Sequence, residues 1–459
     1  MHLIGSKPFT TALEDLSKIY GKVYSMQLGM WPTVILCDRK SLKEAFVKKS
    51  KDFAGRPKFP SFVKTLRGLT GLIICDLSEE YIANKKLATD AFHRFLLEPE
   101  NVDTFLQRES AKSKDLFDGY ADSTSGFYTL EIFQTIIPSM FLAMMYGLDL
   151  PYDDPVLKQM IAAYRLWFET AEPNNPADFL PLLARFPNKR LDTIIQTTID
   201  VDKCNSKMVK DRVEILKNRK NKSNDIETER SDNDPSKTIL DLIIDIKSFK
   251  DNDVKYCRNI THIAYEIVGG GFDTSVTTMS WAILYLSQHP EVTQKCRAEL
   301  NKVESQPIQE AKIDCPYFIG TIHEILRMST ISPGGIPHST RCDTTIQGYH
   351  IPKDTMIIAN LRQINYDEDN WSQPYQFRPD RFLRDDGLID TRACNEIATF
   401  SSGTRRCPGD KVAITMIFVL LGTVIKRYDF EMVKPPIDME PMPGILSKPK
   451  HHLVKFHLA

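Results

Sequence analysis

The reactive residues of this chain concentrate at 400–410, FSSGTRRCPGD, where one cysteine, Cys407, stands between Arg405, Arg406 and Gly409 ahead of a long apolar run. Sulfur binds metals as a thiolate. Neighbouring arginines, turn N–H groups and the positive end of the helix expected from VAITMIFVLLGTVI all favour that form. Cys407 is therefore a candidate metal ligand. Gly403 and Gly409 carry no Cβ, so backbone can come close to whatever the sulfur holds, and a flat, bulky ligand would suit such a surface. The bland alternative is a buried structural cysteine, the commonest fate of a free thiol. Five fixed positions, Phe400, Gly403, Arg405, Cys407 and Gly409, speak against it.

Upstream, GGGFDTS at 269–275 lies in a stretch, 252–288, that reads as one unusually long helix ended by Pro290. Consecutive glycines inside a helix cost roughly 1 kcal/mol each against alanine, so something should compensate. A bend that opens a groove would do so, and so would close helix packing. Beside them Asp273 and Thr274 supply an acid and a hydroxyl. Further on, Glu324 and Arg327 stand one turn apart and can pair on one helix face, and FRPDRFL at 377–383 adds Arg381.

The pattern F-x-x-G-x-R-x-C-x-G resembles the haem-binding loop of the cytochromes P450, and GGGFDTS is similar to that family's oxygen-side helix through Gly270, Gly271, Asp273, Thr274 and Ser275. The resemblance implies a mostly α fold with a small β region, one catalytic domain over 1–459. It also implies haem b, iron protoporphyrin IX, with the Cys407 thiolate as axial ligand and Phe400, Gly403, Arg405 and Gly409 shaping its seat. Lys85 and His338 fall where relatives contact a haem propionate, although relatives carry W-x-x-x-R where this chain has Tyr81 and Lys85. The implied activity is monooxygenation, one atom of dioxygen entering a lipophilic xenobiotic, steroid or fatty acid. Asp273 and Thr274 would relay protons through ordered water. Glu324, Arg327 and Arg381 would form a buried network behind the haem. Electrons would come from NADPH–cytochrome P450 reductase, with cytochrome b5 as a second donor. A Walker loop or a strand followed by G-x-G-x-x-G is missing from the sequence, so neither flavin nor NADPH is expected to bind directly. Two rivals share the cysteine: a haem-thiolate isomerase or dehydratase, and a non-enzymatic haem sensor or carrier.

These residues need elements to hold them. Residues 13–21 read as an amphipathic helix stopped by glycine, VYSMQLG and TVILC as two strands joined by a turn, and 79–95 as a helix with a basic face. Residues 101–216 keep helical spacing. The stretch from Ile336 to Asn360 reads as turn-linked short strands, and GILSKPKHHLVKF as a last hairpin with Ile445 and Leu446 at the pocket edge. Residues 217–238 are charged, poor in apolar side chains and read as a solvated loop. Lys85, Lys86, Arg406 and Lys411 would gather into a basic docking patch. Met416 stands where close relatives often have Glu.

Composition narrows the classes. With 59 Lys and Arg against 60 Asp and Glu, the net charge of −1 leaves no basic excess for nucleic acid. Nine cysteines lack C-x-x-C pairing, which argues against zinc or a disulfide framework. The uncharged run 132–148 contains Gln134, Pro138, Ser139 and Gly147 and reads as a buried helix rather than a bilayer crossing. The chain opens on MHLIGSKPF without a signal-peptide pattern. Microsomal relatives carry an anchor helix just ahead of such a segment. The implied location is therefore the cytoplasmic face of the endoplasmic reticulum membrane rather than mitochondria, with the anchor not present in this chain. Phe179, Leu180, Leu182, Leu183 and Phe186 would make a peripheral membrane contact.

Overall fold

The computed structural model describes residues 9–121, 125–170, 175–223, 237–246, 254–304, 306–435 and 438–459. The readings of the opening octapeptide and of most of the charged stretch 217–238 fall outside them. The first helix, Phe9–Tyr20, stops at Gly21, whose φ of 89° few other residues tolerate. It leads into β1 (Val23–Leu28) and β2 (Trp31–Leu36), which pair antiparallel.

Helix α1 (Glu79–Leu97) begins where Ser78 caps the Tyr81 N–H. Helix α2 (Thr129–Tyr146) takes the uncharged run; it tolerates Pro138 and ends at Gly147 in the left-handed conformation. It alone among the described residues is long and apolar enough to cross a membrane, and it is 83% buried, as a core helix should be. Helix α3 (Pro155–Thr170) precedes the central helix α4 (Val254–Gln288), which packs against α2 more extensively than any other described pair of elements meets. Helix α5 (Pro316–Ser329) carries Glu324 and Arg327.

The predicted short strands form. β3 (His338–Ser339) pairs antiparallel with β4 (Met356–Ala359), which runs parallel to β2, so the sheet order is β1-β2-β4-β3. His338 is thereby fixed opposite Ile357. Helix α6 (Asp410–Arg427) follows the cysteine loop and is apolar on most sides because the core surrounds it. The last hairpin differs from expectation. β5 (Tyr428–Met432) pairs with β6 (Val454–Leu458), and Ile445 and Leu446 lie in the irregular segment before it.

Candidate active site

The cysteine loop is a set of interlocking turns. Asn365 Oδ1 accepts from the Ala398 N–H at 2.8 Å, Arg406 N–H donates to Gly403 O at 3.0 Å, and Cys407 N–H donates to Phe400 O at 2.9 Å. Gly403 has φ of 68°, and a Cβ there would lie 1.5 Å from Phe46 O, so glycine is required twice over. Gly409 is different: the nearest atom to a Cβ would be Phe92 Cε2 at 3.9 Å, which leaves room beside the loop.

Cys407 lies deep in the protein, yet its side chain meets open space rather than packed atoms. Depth combined with exposure means an internal hollow. Burial pushes the thiol up, and this outweighs the Gly409 N–H, Lys85 and Arg406, which pull it down, while Asp410 adds to the rise. The groups the sequence shows beside the sulfur pull in the expected direction, and the charge of a bound metal would add to their pull.

A cluster of buried cations adjoins the loop. Arg405 donates from Nε to Ala54 O and from Nη2 to Cys75 O, both at 2.9 Å, and its guanidinium stacks 3.9 Å from the Tyr81 ring centroid. Its Nη1 is buried without a partner. Arg56 donates to the carbonyls of Ile73, Ile336 and Pro337; burial, then Arg405, pushes it down to about 9. Lys85 donates to Thr404 O at 2.6 Å and Arg406 O at 2.7 Å. Burial pushes its ammonium down to about 8, against the pull of the Cys407 sulfur and with the help of Arg405, Arg56 and Arg406. None of these bonds goes to a carboxylate. Buried cations left in this state call for an anion, so a flat ligand bearing carboxylates fits the hollow. His338 stacks on Phe46 at 3.9 Å, and its Nδ1 lies 2.8 Å from Phe53 O. Burial, then Arg56, keeps the ring neutral, and in that form Nδ1 donates and Nε2 accepts.

On α4 the glycines divide. A Cβ on Gly271 would fall 2.1 Å from Phe141 Cζ, and one on Gly269 would fall 3.1 Å from Tyr164 Cε1, so these two exist for packing. Gly270 faces open space, with Ile73 Cδ1 nearest at 3.7 Å, and Thr274 stands one turn on with its hydroxyl donating to Gly270 O at 2.8 Å. Asp273 points elsewhere. It is buried, and Lys448 Nζ lies 2.7 Å from its Oδ2 as an ion pair. Burial raises the Asp273 pKa and Lys448 opposes the rise. Among the described contacts no hydrogen bond joins this acid to the Thr274 hydroxyl.

Behind the loop Glu324 accepts from Arg327 Nε at 2.7 Å and Nη2 at 2.9 Å, from Arg381 Nε at 3.0 Å and from the Arg378 N–H at 2.9 Å. Arg327 also donates to Asn365 O and Pro374 O. Asn365, which holds Ala398, thus couples this network to the cysteine loop.

A cytochrome P450 family model matches residues 1–456. The chain belongs to the cytochrome P450 family. This P450 is similar to cytochrome P450 1A1 of Platichthys flesus, 30% identical over 464 residues that cover 97% of this chain and 86% of the relative. Cytochrome P450 1A1 of Cavia porcellus is 29% identical over 462 residues, 98% of this chain and 87% of the relative. Cytochrome P450 1A5 of Gallus gallus is 28% identical over 459 residues, 95% and 83%. The chain is accordingly a P450 monooxygenase, an oxidoreductase whose haem b is held by a cysteine thiolate.

The hollow beside Cys407, with its cations and the orphaned Arg405 Nη1, fits that haem. Sequence reasoning missed Arg56, Asn365 and Lys448, which come from 17 to 281 positions away from the groups they serve. Only their types could have hinted at a role. Lys85 reaches the cysteine loop through the carbonyls of Thr404 and Arg406. It also leaves the docking patch, and Arg406 is paired with Asp410 at 2.8 Å, so Lys86 and Lys411 are the exposed members. Met416 is fully buried in α6.

Proposed function

We propose that Cys407 is the axial thiolate of this P450 and that the whole chain works as one catalytic domain inserting oxygen into a lipophilic organic substrate. Electrons arrive from NADPH–cytochrome P450 reductase, with cytochrome b5 as a second donor, at the cytoplasmic face of the endoplasmic reticulum membrane. Haem, when bound, supplies the site at which dioxygen is held and reduced. The observation that carries the reading is the deep yet open Cys407 beside cations that lack carboxylate partners.

The residues divide the work. Arg405 Nη1 and Arg56 neutralise the propionates, with His338 packed beside them. Phe400, Gly403 and Gly409 shape the seat and keep its backbone close. Gly270 leaves room on the oxygen side. Asp273, paired with Lys448, passes protons through water to the Thr274 hydroxyl. Glu324, Arg327 and Arg381 keep the loop in register. Ile73, Ile331 and Leu446 give the pocket apolar walls. Exposed Met30, Leu180, Leu182, Leu183 and Phe186 gather where the Met30 N–H meets Phe179 O at 2.8 Å, an apolar patch suited to a membrane surface. Phe179 instead packs on Phe59.

The test is reconstitution with the reductase and NADPH against a panel of planar aromatics, steroids and fatty acids. Substrate-dependent product containing one atom from labelled dioxygen supports the reading. A wild-type holoenzyme that consumes no NADPH above background with any of them overturns it.

A further inference from the structure

One end of the β1-β2-β4-β3 sheet gathers cations that no carboxylate neutralises. β2 runs parallel to β4 with Thr33 beside Met356, and β3 runs antiparallel to it with Ser339 beside Met356, so Trp31, Arg341 and the Lys353–Asp354 turn meet at that end. Gly55 bridges to Ser339, which brings in Arg56 and Lys58. Together they line a cleft of about 400 Å³. Its cations are Arg56, Lys58, Arg341 and Lys353; its acids are Asp76 and Asp354. Among the described residues none of the six is in an ion pair. Arg56 is buried and gives Nε and Nη1 to backbone carbonyls, leaving Nη2 without a bond, and the Arg341 side chain reaches only Leu77 O at 3.5 Å. A concave surface with this excess of positive charge concentrates anions.

Trp31 joins the cleft to the exposed apolar patch. Its Nε1 donates to Asp178 O at 2.7 Å, its ring meets Phe59 edge-on at 5.5 Å, and Phe59 packs on Phe179 at 5.8 Å. Met30, Leu180, Leu182 and Leu183 therefore stand beside the cations. A bilayer that takes up the patch presents its phosphates at the edge of the apolar layer, level with the cleft. We propose that this cleft binds the phosphate headgroup of an anionic phospholipid. The proposal rests on the membrane contact assigned above to the patch and names the lipid chemistry that contact selects. Guanidinium groups match phosphate oxygens in a planar fork, and the lysines add point charges.

The experiment follows flotation of the haem-loaded chain with vesicles of phosphatidylcholine alone or mixed with phosphatidic acid, alongside calorimetric titration with inorganic phosphate. Phosphatidic acid should tighten wild-type binding on the order of 10²-fold, and K58Q/K353Q, which changes exposed side chains only, should lose roughly 30-fold of that gain while binding phosphatidylcholine as wild type does. K158Q/K302Q removes the same charge from exposed lysines elsewhere and should keep the gain. Equal binding of wild type to both vesicles overturns the proposal and leaves the membrane contact standing. An equal loss in the two double variants also overturns it, because diffuse charge rather than a site would then be acting. Saturable uptake of inorganic phosphate with no gain from phosphatidic acid would make the ligand a soluble phosphate and overturn the lipid assignment. Wild type that floats with neither vesicle overturns the membrane contact itself, and L182S/L183S, which should weaken binding to both vesicles alike, checks that contact independently of the cleft.

Discussion

Removing the Glu324 carboxylate should damage this protein more than any surface charge change. Its oxygens accept four hydrogen bonds, three from the guanidinium groups of Arg327 and Arg381 and one from the Arg378 N–H. Arg327 has no exposed surface, so in E324A its charge keeps only the Asn365 and Pro374 carbonyls and two aromatic faces, Tyr366 and Trp371. Stranding a buried charge costs about 3–5 kcal/mol. Against a typical domain stability of about 5–15 kcal/mol, that is a large share. E324Q keeps the volume and should lose less. Urea unfolding followed by far-ultraviolet circular dichroism and by the haem absorbance gives the comparison, with E169A, from the exposed Arg165–Glu169 pair, as control. Because Asn365 links the network to Ala398, haem absorbance should be lost before secondary structure in E324A. An E324A midpoint indistinguishable from that of E169A would refute the reasoning.

Other expectations follow from single contacts. G271A should destabilise by about 1–3 kcal/mol through overpacking on Phe141, whereas G270A should keep or gain about 1 kcal/mol of helix stability and alter ligand binding instead; thermal melts with ligand-binding spectra separate them. G403A should fail to retain haem while G409A folds, which is read from haem content after gel filtration. Lys312, buried against Thr415 Oγ1 at 2.8 Å, is pushed by burial, then by Lys411, down to about 8 from 10.5. Its folded-state pKa lies below its unfolded one, so the penalty of burying the charge is fully present below about pH 8 and is relieved as pH rises toward 10.5. K312M should therefore be more stable than wild type at neutral pH by on the order of 3 kcal/mol, and the gap in urea midpoints should close in alkali. D273N should cut product formation by about 10²-fold or more, with NADPH consumption uncoupled from product; K448M should act in the same direction but less.

What the sequence disclosed depended on how local each signal is. Gly403 was legible because one turn's backbone dictates it, and α4 because its apolar spacing and Pro290 bound it. The GGG run left groove and packing both open. Two of its glycines answer to Phe141 and Tyr164, partners no spacing reveals, and Gly270 alone of the three has room beside it. Arg56, Asn365 and Lys448 were invisible because each acts across a long chain separation through carbonyls or a single carboxylate. Burial of the sulfur, which raises its pKa, was not legible from the cations the sequence shows beside it. Lys85 was assigned by position, and its bonds to the Thr404 and Arg406 carbonyls lie more than 300 positions away, beyond what spacing shows.

The central claim is the bond between Cys407 sulfur and iron, and the reduced carbon-monoxide difference spectrum measures it most directly. Wild type should show the thiolate-ligated band, and C407A should lose it entirely while retaining a far-ultraviolet helical signal. A thiolate band that survives in C407A would contradict the account.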